Sequence, residues 1–151
     1  MTKCEHIEEI SIINDSLFHV NTAVPSLPMK LSGLRGAKLP SGDLLVCGGK
    51  SLQYTIFKKG SNEWKKVGTM KQARSHHSSI YVNGNLFTVG GLNSSYDMIS
   101  HHEQFSFERG TNDRKELPIA LYGHTATVFN YHKMLICGGC DNRVRKTTHK
   151  P

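Results

Sequence analysis

The apolar and β-branched residues of this chain come in short runs separated by turn-forming residues. In the stretch RSHHSSIYVNGNLFTVGG, one such run ends at Asn83 and a second begins after Gly84. An Asn-Gly pair between two such runs supplies the positive φ angles of a type I′ turn. The pattern therefore predicts a β-hairpin with strands at residues 77–82 and 86–89, followed by a double glycine.

A hairpin followed by a double glycine occurs three times. The glycine pairs begin at Gly48, Gly90 and Gly138, which lie 42 and 48 residues apart. Their second members are Gly49, Gly91 and Gly139. A repeat of this length is typical of β-propeller blades, each a four-stranded antiparallel meander. We therefore predict an all-β chain of about three blades. The repeat hairpins are expected near residues 35–49, 74–91 and 121–139.

Two further strand-like runs follow the first glycine pair, and each carries a large aromatic residue. Tyr54 lies in LQYTIF and Trp64 lies in EWKKV. We expect both rings to pack between neighbouring blades, with a partner for the indole N–H. In the second repeat Phe105 or Phe107 is expected in the tyrosine's place, and no tryptophan follows. Hairpin, double glycine, tyrosine strand and tryptophan strand in this order resemble the kelch repeat over residues 31–140.

Three blades fall short of a closed ring, because propellers have about four to eight. The chain is therefore expected to be a fragment of a longer product, or to close a ring with other copies or another chain. Residues 1–30 predict two strands, at 10–13 and 17–20. These resemble either the outer strands of a leading blade or a closing strand, and both interpretations stay open. Residues 141–151 are basic, lack apolar periodicity and predict a disordered tail.

The 4 cysteines and 9 histidines are the candidates for metal or redox chemistry. Cys47 and Cys137 share a repeat position with Val89, which indicates a small buried apolar site rather than half of a Cys-x-x-Cys metal site. His77 and His124 also share a repeat position, where a structural hydrogen bond explains them better than metal ligation. We therefore expect no metal, no cofactor and no catalytic residue, and hence no enzyme.

The loops of one propeller rim are where we expect a partner to bind. In an up-and-down blade, the residues after each glycine pair and those before each hairpin share one face, and loops on a rigid scaffold commonly carry recognition. Structural interpretations compete with this one: Arg74 could brace a contact between blades, and Tyr122 could pack. The candidate partner-binding residues are Arg35, Arg74, Asn93, Ser94, Ser95, Tyr96 and Tyr122.

The net charge of +7 brings nucleic acid and acidic membranes into question as partners. Close to half of this charge lies in residues 141–151, and much of the rest is in lysine pairs near turns. No basic stretch alternates with aromatic residues, as base stacking would require. We expect neither nucleic acid nor a membrane as partner. The acidic start of the chain and the lack of a membrane-length apolar run favour a cytoplasmic location.

The resemblance to kelch repeats implies a function. Kelch-type propellers commonly grip a protein or peptide surface with one face, often as substrate-recognition modules of cullin-type ubiquitin ligases or as actin-associated scaffolds. The alternative is a fragment of an enzyme, since some kelch-type propellers are copper oxidases or sugar-modifying enzymes. We predict a protein-binding scaffold without catalysis, with self-association to complete the ring as a further expectation.

Overall fold

The regular structure of the described residues is entirely β. The computed structural model describes residues 9–13, 16–21, 25–29, 31–130 and 133–141. Within these residues no helix is long and apolar enough to cross a membrane. The predicted all-β class is confirmed, whereas the predicted tail lies outside the described residues except for its first residue.

The described residues form twelve strands, which follow the predicted hairpins closely. The strands of the second repeat hairpin, for example, begin and end within one residue of their predicted bounds. In chain order the strands are β1 (Glu9–Ile13), β2 (Ser16–Asn21), β3 (Leu34–Lys38), β4 (Leu44–Gly48), β5 (Gln53–Phe57), β6 (Trp64–Thr69), β7 (Ser78–Val82), β8 (Asn85–Val89), β9 (His102–Ser106), β10 (Gly110–Asp113), β11 (Tyr122–Asn130) and β12 (Lys133–Cys140).

Two complete blades stand at the centre of the chain. Strands β3 to β6 form one four-stranded meander, and strands β7 to β10 form the next. Strands β11 and β12 pair as the first half of a third blade, and β1 pairs with β2 in a separate hairpin. The first strands β3, β7 and β11 contact one another in turn, and the fourth strands β6 and β10 are also in contact. The blades therefore lie side by side as in a propeller, with the first strands innermost.

Strand register defines which residues of the three repeats are equivalent. The residue before each glycine pair faces an equivalent residue of the first strand, and these first-strand residues are Arg35, Ser78 and Thr125. His77 and His124 precede two of them and are therefore equivalent, as predicted. By the same register Arg35 lies on the innermost strand at the place of Ser78, so it is not the counterpart of Arg74.

The hairpin turn between β7 and β8 has the predicted geometry. Asn83 and Gly84 have φ angles of 49° and 77°. Positive φ at both central residues is the mark of a type I′ turn, whose twist suits the flanking strands. The turn type was thus predicted correctly from the dipeptide alone.

The hydrophobic core lies between the two complete blades. Tyr54 and Leu86 are fully buried, and the ring of Phe105 stacks on that of Tyr54 with 4.3 Å between centroids. Neither phenylalanine takes the tyrosine's place in the second blade: Tyr54 pairs with Cys47, and the residue paired with Val89 is His102. The aromatic contact between blades therefore joins different positions of the two repeats.

Trp64 begins the fourth strand of the first complete blade. Its ring is half-buried, lies 5.3 Å from that of Phe57 in the same blade, and is not part of the buried core cluster between the two complete blades. Its indole N–H does have the predicted partner, because Nε1 donates to the carbonyl of Pro25 at 2.8 Å. The tryptophan thus fastens residues 25–29 to the first complete blade.

Candidate functional site

The glycine pairs allow neighbouring blades to approach closely. Gly48 and Gly90 both have positive φ, at 88° and 60°. A Cβ at Gly48 would collide with the ring of His77 from the next blade, and one at Gly90 would lie 2.6 Å from the Leu121 carbonyl. Any side chain would therefore be strained and would push the blades apart. Close approach of the neighbouring blade therefore requires glycine at both positions.

The two equivalent histidines fill the space that these glycines leave. His77 Nε2 lies 3.5 Å from Cys47 Sγ, and His124 Nε2 lies 2.8 Å from Ser78 Oγ, so each ring reaches back to the preceding blade. Burial lowers the pKa of His77 to about 3, with Arg74 adding to the shift. Burial also lowers the pKa of His124 and raises that of Cys47 to about 12. The two histidines are structural bridges, as predicted. Cys47 is buried, as predicted, whereas the equivalent Cys137 is exposed and departs from that prediction.

A buried ion pair organises the loop that enters the second blade. Arg74 and Glu103 are fully buried, and Arg74 Nη2 donates to Glu103 Oε1 at 2.6 Å. Arg74 Nη1 also donates to the carbonyls of Gly90 at 2.9 Å and His101 at 3.0 Å. A buried charge is tolerated where it is paired and hydrogen-bonded. Arg74 is therefore not offered to a partner, and its contacts support the bracing interpretation.

Glu103 is the residue that the sequence analysis missed. Its carboxylate also accepts the backbone N–H groups of Lys71 at 2.8 Å and Gln72 at 3.2 Å. It therefore fixes the loop before the second hairpin against β9. A signal was present in the sequence: Glu103 alternates with Phe105, so both lie on one face of a predicted strand, and a carboxylate on a buried face requires a partner.

A more exposed set of polar side chains extends this ion pair outward. His101 Nε2 lies 2.8 Å from Asp113 Oδ1, and Lys71 Nζ lies 2.5 Å from Asp113 Oδ2. The hydrogen bond from Lys71 is the main cause that lowers the pKa of Asp113, and His101 adds to it. These residues join the end of β6 to β10. The surface at this point is polar.

A backbone ladder crosses the three repeats at the entrance to their hairpins. The His76 N–H donates to the Gly33 carbonyl at 2.9 Å, and the Gly123 N–H donates to the His76 carbonyl at 2.8 Å. All three residues have positive φ, at 69°, 54° and 68° for Gly33, His76 and Gly123. They hold the entrance loops in a fixed row, which forms the inner part of the rim.

The loop at residues 93–97 is the most structured of the predicted recognition elements. Asn93 Oδ1 accepts the N–H groups of Ser95 at 2.9 Å and Asp97 at 2.8 Å, and Asn93 Nδ2 donates to Asp97 Oδ2 at 3.0 Å. Ser94 and Ser95 are exposed at its tip. Such a side-chain-closed turn has few conformations to lose on binding.

Tyr96 projects from this loop onto the rim. It is 68% exposed, and Lys50 from the loop after the first glycine pair places Nζ 3.3 Å from its ring centroid. Lys50 in turn donates its backbone N–H to the Arg74 carbonyl at 3.0 Å. The loops that follow two glycine pairs are thus brought together on one rim, where the repeat geometry placed them.

The remaining candidate residues lie apart from this aromatic site. Arg35 is half-buried on β3 and donates to the Leu34 carbonyl at 3.0 Å. Tyr122 is half-buried at the start of β11, and a hydrogen bond with the exposed Cys140 raises its pKa. In the described part of the chain no three His, Cys, Asp or Glu side chains are grouped to hold a metal ion.

Comparisons with known proteins agree with this architecture. No protein-family profile matches the chain. The chain is 28% identical to beta-scruin of Limulus polyphemus over 85 residues, which are 56% of this chain and 9% of that protein. It is 25% identical over 134 residues, 82% of this chain, to the N-acetylneuraminate epimerases of Salmonella typhi and Salmonella newport.

The chain spans 35% of the length of these epimerases. Among solved structures, that of YjhT superposes with a TM-score of 0.70 at 18% identity, over 79% of this chain and 37% of YjhT. The resemblance to kelch-type propellers, and the fold of a partial propeller, are confirmed.

One expectation is wrong. We expected no enzyme, whereas the relatives that align with most of this chain are named as epimerases. The expectation was drawn from repeat positions that determine how blades pack, and the same propeller scaffold supports unrelated functions. Side chains that fix blade spacing therefore say little about chemistry on the rim.

Proposed function

We propose that the rim formed by the loops after the glycine pairs binds a protein or peptide partner. The observation that carries this proposal is Tyr96, a 68% exposed aromatic ring on a loop closed by Asn93. Tyrosine offers a large, rigid and amphipathic contact, and such rings are frequent binding hot spots. The backbone N–H of Tyr96 also donates to the Asn93 carbonyl at 3.1 Å, which fixes the loop beneath the ring.

Lys50 adds specificity to this surface. Its ammonium group lies 3.3 Å from the Tyr96 centroid, so the two side chains present a cation beside an aromatic face. A partner that brings a carboxylate to Lys50 and apolar surface to Tyr96 would match both. We therefore expect an acidic peptide segment with a neighbouring apolar residue to be preferred.

The experiment selects peptides from a phage-displayed library on the immobilised chain and measures their affinity for variants. Tyr96→Ala should weaken binding by roughly tenfold or more, since hot-spot truncations cost about 2 kcal/mol or more. Phe107→Ala is the matched control, because Phe107 is 50% exposed but lies in the turn just after the end of β9, away from the rim. Equal loss in both variants, or none in Tyr96→Ala, would refute the proposal.

A second candidate function is action on a sugar acid. It is favoured by the epimerases that align with 82% of this chain, although the chain spans only 35% of their length. N-acetylneuraminate carries a carboxylate, which arginine binds bidentately. Arg35, half-buried on the innermost strand of the first complete blade, is the residue that we propose for this contact.

This second candidate is tested by adding N-acetylneuraminate to the chain and following the sugar's proton NMR spectrum. Line broadening or a changed epimer ratio that disappears in Arg35→Gln would support it. Unchanged spectra at millimolar sugar, with the chain folded, would remove it. Phage selection and sugar binding use separate residues, so the outcomes can be told apart.

A further inference from the structure

The third repeat presents a surface that the first repeat has covered. Leu45, Cys47 and Gly48 of the first repeat correspond in register to Leu135, Cys137 and Gly138 of the third. Leu45 is fully buried against the second blade, whereas Leu135 is 44% exposed and Cys137 is exposed. The two repeats therefore carry the same blade-facing surface, and only one is packed.

Gly138 marks the same difference at the backbone. A Cβ at Gly48 or Gly90 would collide with the following blade, but at Gly138 no described atom lies within 4 Å of that position. Gly138 nevertheless has a positive φ of 70°, as Gly48 and Gly90 do in the other two repeats. The third repeat is thus shaped for a following blade whose first strand would lie against β12.

A complementary surface exists on the first complete blade. Its first strand, β3, carries Leu34 and Gly36 at the places that His77 and Ser79 hold in the second blade, as the register shows. His77 and Ser79 are the residues that contact Cys47, at 3.5 and 3.3 Å. Leu34 would set an apolar side chain over the Cys137 surface, and Gly36 is exposed and available for it.

The strand inventory is complementary as well. Strands β11 and β12 are the inner half of a blade. Strands β1 and β2 form a hairpin that precedes β3, just as the outer pair β5 and β6 precedes β7. We propose that a second copy of this chain docks its β3 against β11 and β12, so that its β1–β2 hairpin completes the third blade. Two copies related by a two-fold axis then share two blades and each supply two complete ones.

The resulting ring has six blades, four of one chain each and two shared, which falls within the range of about four to eight for closed propellers. A two-fold arrangement is closed, so it covers the same surface on both copies and leaves no free sheet edge at β12. The backbone ladder also continues, because Gly33 of the second copy would donate to the Gly123 carbonyl as His76 donates to Gly33. The proposal does not depend on what the rim binds.

Light scattering of the full chain is the first test. The wild type should have twice the mass of the 16.9 kDa chain. Leu135→Asp should shift it to the monomer, because the substitution places a charge in the shared interface. Leu52→Asp is the control, since Leu52 is equally exposed, at 42%, outside this interface. A monomeric wild type, or a dimer indifferent to Leu135→Asp, would overturn the proposal.

A cross-link identifies the contact directly and does not require a variant that separates the copies. Cys47 Sγ lies 3.3 Å from Ser79 Oγ, so Gly36→Cys should place a thiol beside Cys137 of the second copy, at a separation that a disulfide spans. A dimer band on non-reducing electrophoresis is expected. It should vanish when Cys137→Ser is added and persist with Cys140→Ser. A band that survives Cys137→Ser would contradict the predicted interface.

Discussion

Replacement of Arg74 by alanine tests the buried ion pair at the centre of the described structure. Arg74 is fully buried, and its guanidinium reaches Glu103 and the carbonyls of Gly90 and His101 at 2.6 to 3.0 Å. Without it, the Glu103 carboxylate would keep the backbone N–H groups of Lys71 and Gln72, with the His101 ring 3.8 Å from Oε1. Removing one partner of a buried ion pair typically costs about 3 to 5 kcal/mol, since the remaining charge stays buried.

We therefore expect Arg74→Ala to lower the free energy of unfolding by about 3 to 5 kcal/mol in a urea titration followed by circular dichroism. Arg109→Ala supplies the matched control, because Arg109 is exposed in the turn after β9 and its loss should cost less than about 0.5 kcal/mol. A cost below about 1 kcal/mol for Arg74→Ala would refute the bracing role.

A double-mutant cycle with Glu103→Ala separates the pair from its surroundings. Each single change leaves one buried charge, whereas the double change leaves none. The double variant should therefore lose less stability than the two single variants together, with a coupling energy of about 1 to 3 kcal/mol. Additive losses would mean that the two side chains stabilise the loop independently.

Three further predictions concern the contacts between blades. Trp64→Phe should cost about 1 kcal/mol in the same titration, because it removes the hydrogen bond to Pro25 and keeps most of the ring; no loss would contradict that bond. Gly48→Ala should lower the free energy of unfolding more than Gly60→Ala does. Both glycines have positive φ, but only a Cβ at Gly48 would collide with the neighbouring blade, so equal losses would show that backbone strain alone matters. In the unfolded chain His77 takes up a proton below about pH 6.5, whereas burial lowers its pKa in the folded protein to about 3. Between these pH values the free energy of unfolding should therefore fall on acidification by up to about 1.4 kcal/mol per pH unit. The variant His77→Gln should make this fall shallower.

The fold could be predicted because blade packing places strong local demands on the sequence. Asn83 and Gly84 specify their turn through φ, and the paired glycines specify close approach through the absence of Cβ. His77 and His124 were recognised as equivalent for the same reason, since one residue type fills one repeated space. Local chemistry of this kind is readable without any knowledge of neighbouring blades.

The contacts that were missed depend on which blade face each side chain meets. Arg74 and Glu103 are 29 residues apart, and nothing in the local pattern selects one partner for a buried arginine. For the indole N–H of Trp64 a partner was expected, but the repeat does not identify that partner as the carbonyl of Pro25, 39 residues away. Long-range pairing and strand orientation therefore limited the prediction of the site more than of the fold.

The distribution of rigid and exposed groups explains why the two proposals concern different parts of one scaffold. Neighbouring blades are fixed to each other by a histidine side chain, by the missing Cβ atoms of a glycine pair and by backbone hydrogen bonds between the entrance loops, all near the inner strands. What is left for recognition is the loop beyond the glycines, where the repeat imposes no residue and where Tyr96 meets Lys50. Leu135 and Gly138 stand out by the same comparison, because their equivalents in the first repeat are covered by the next blade whereas they are exposed. Oligomeric state should therefore be determined before rim binding is measured, since completing the ring would add a second copy of every rim loop.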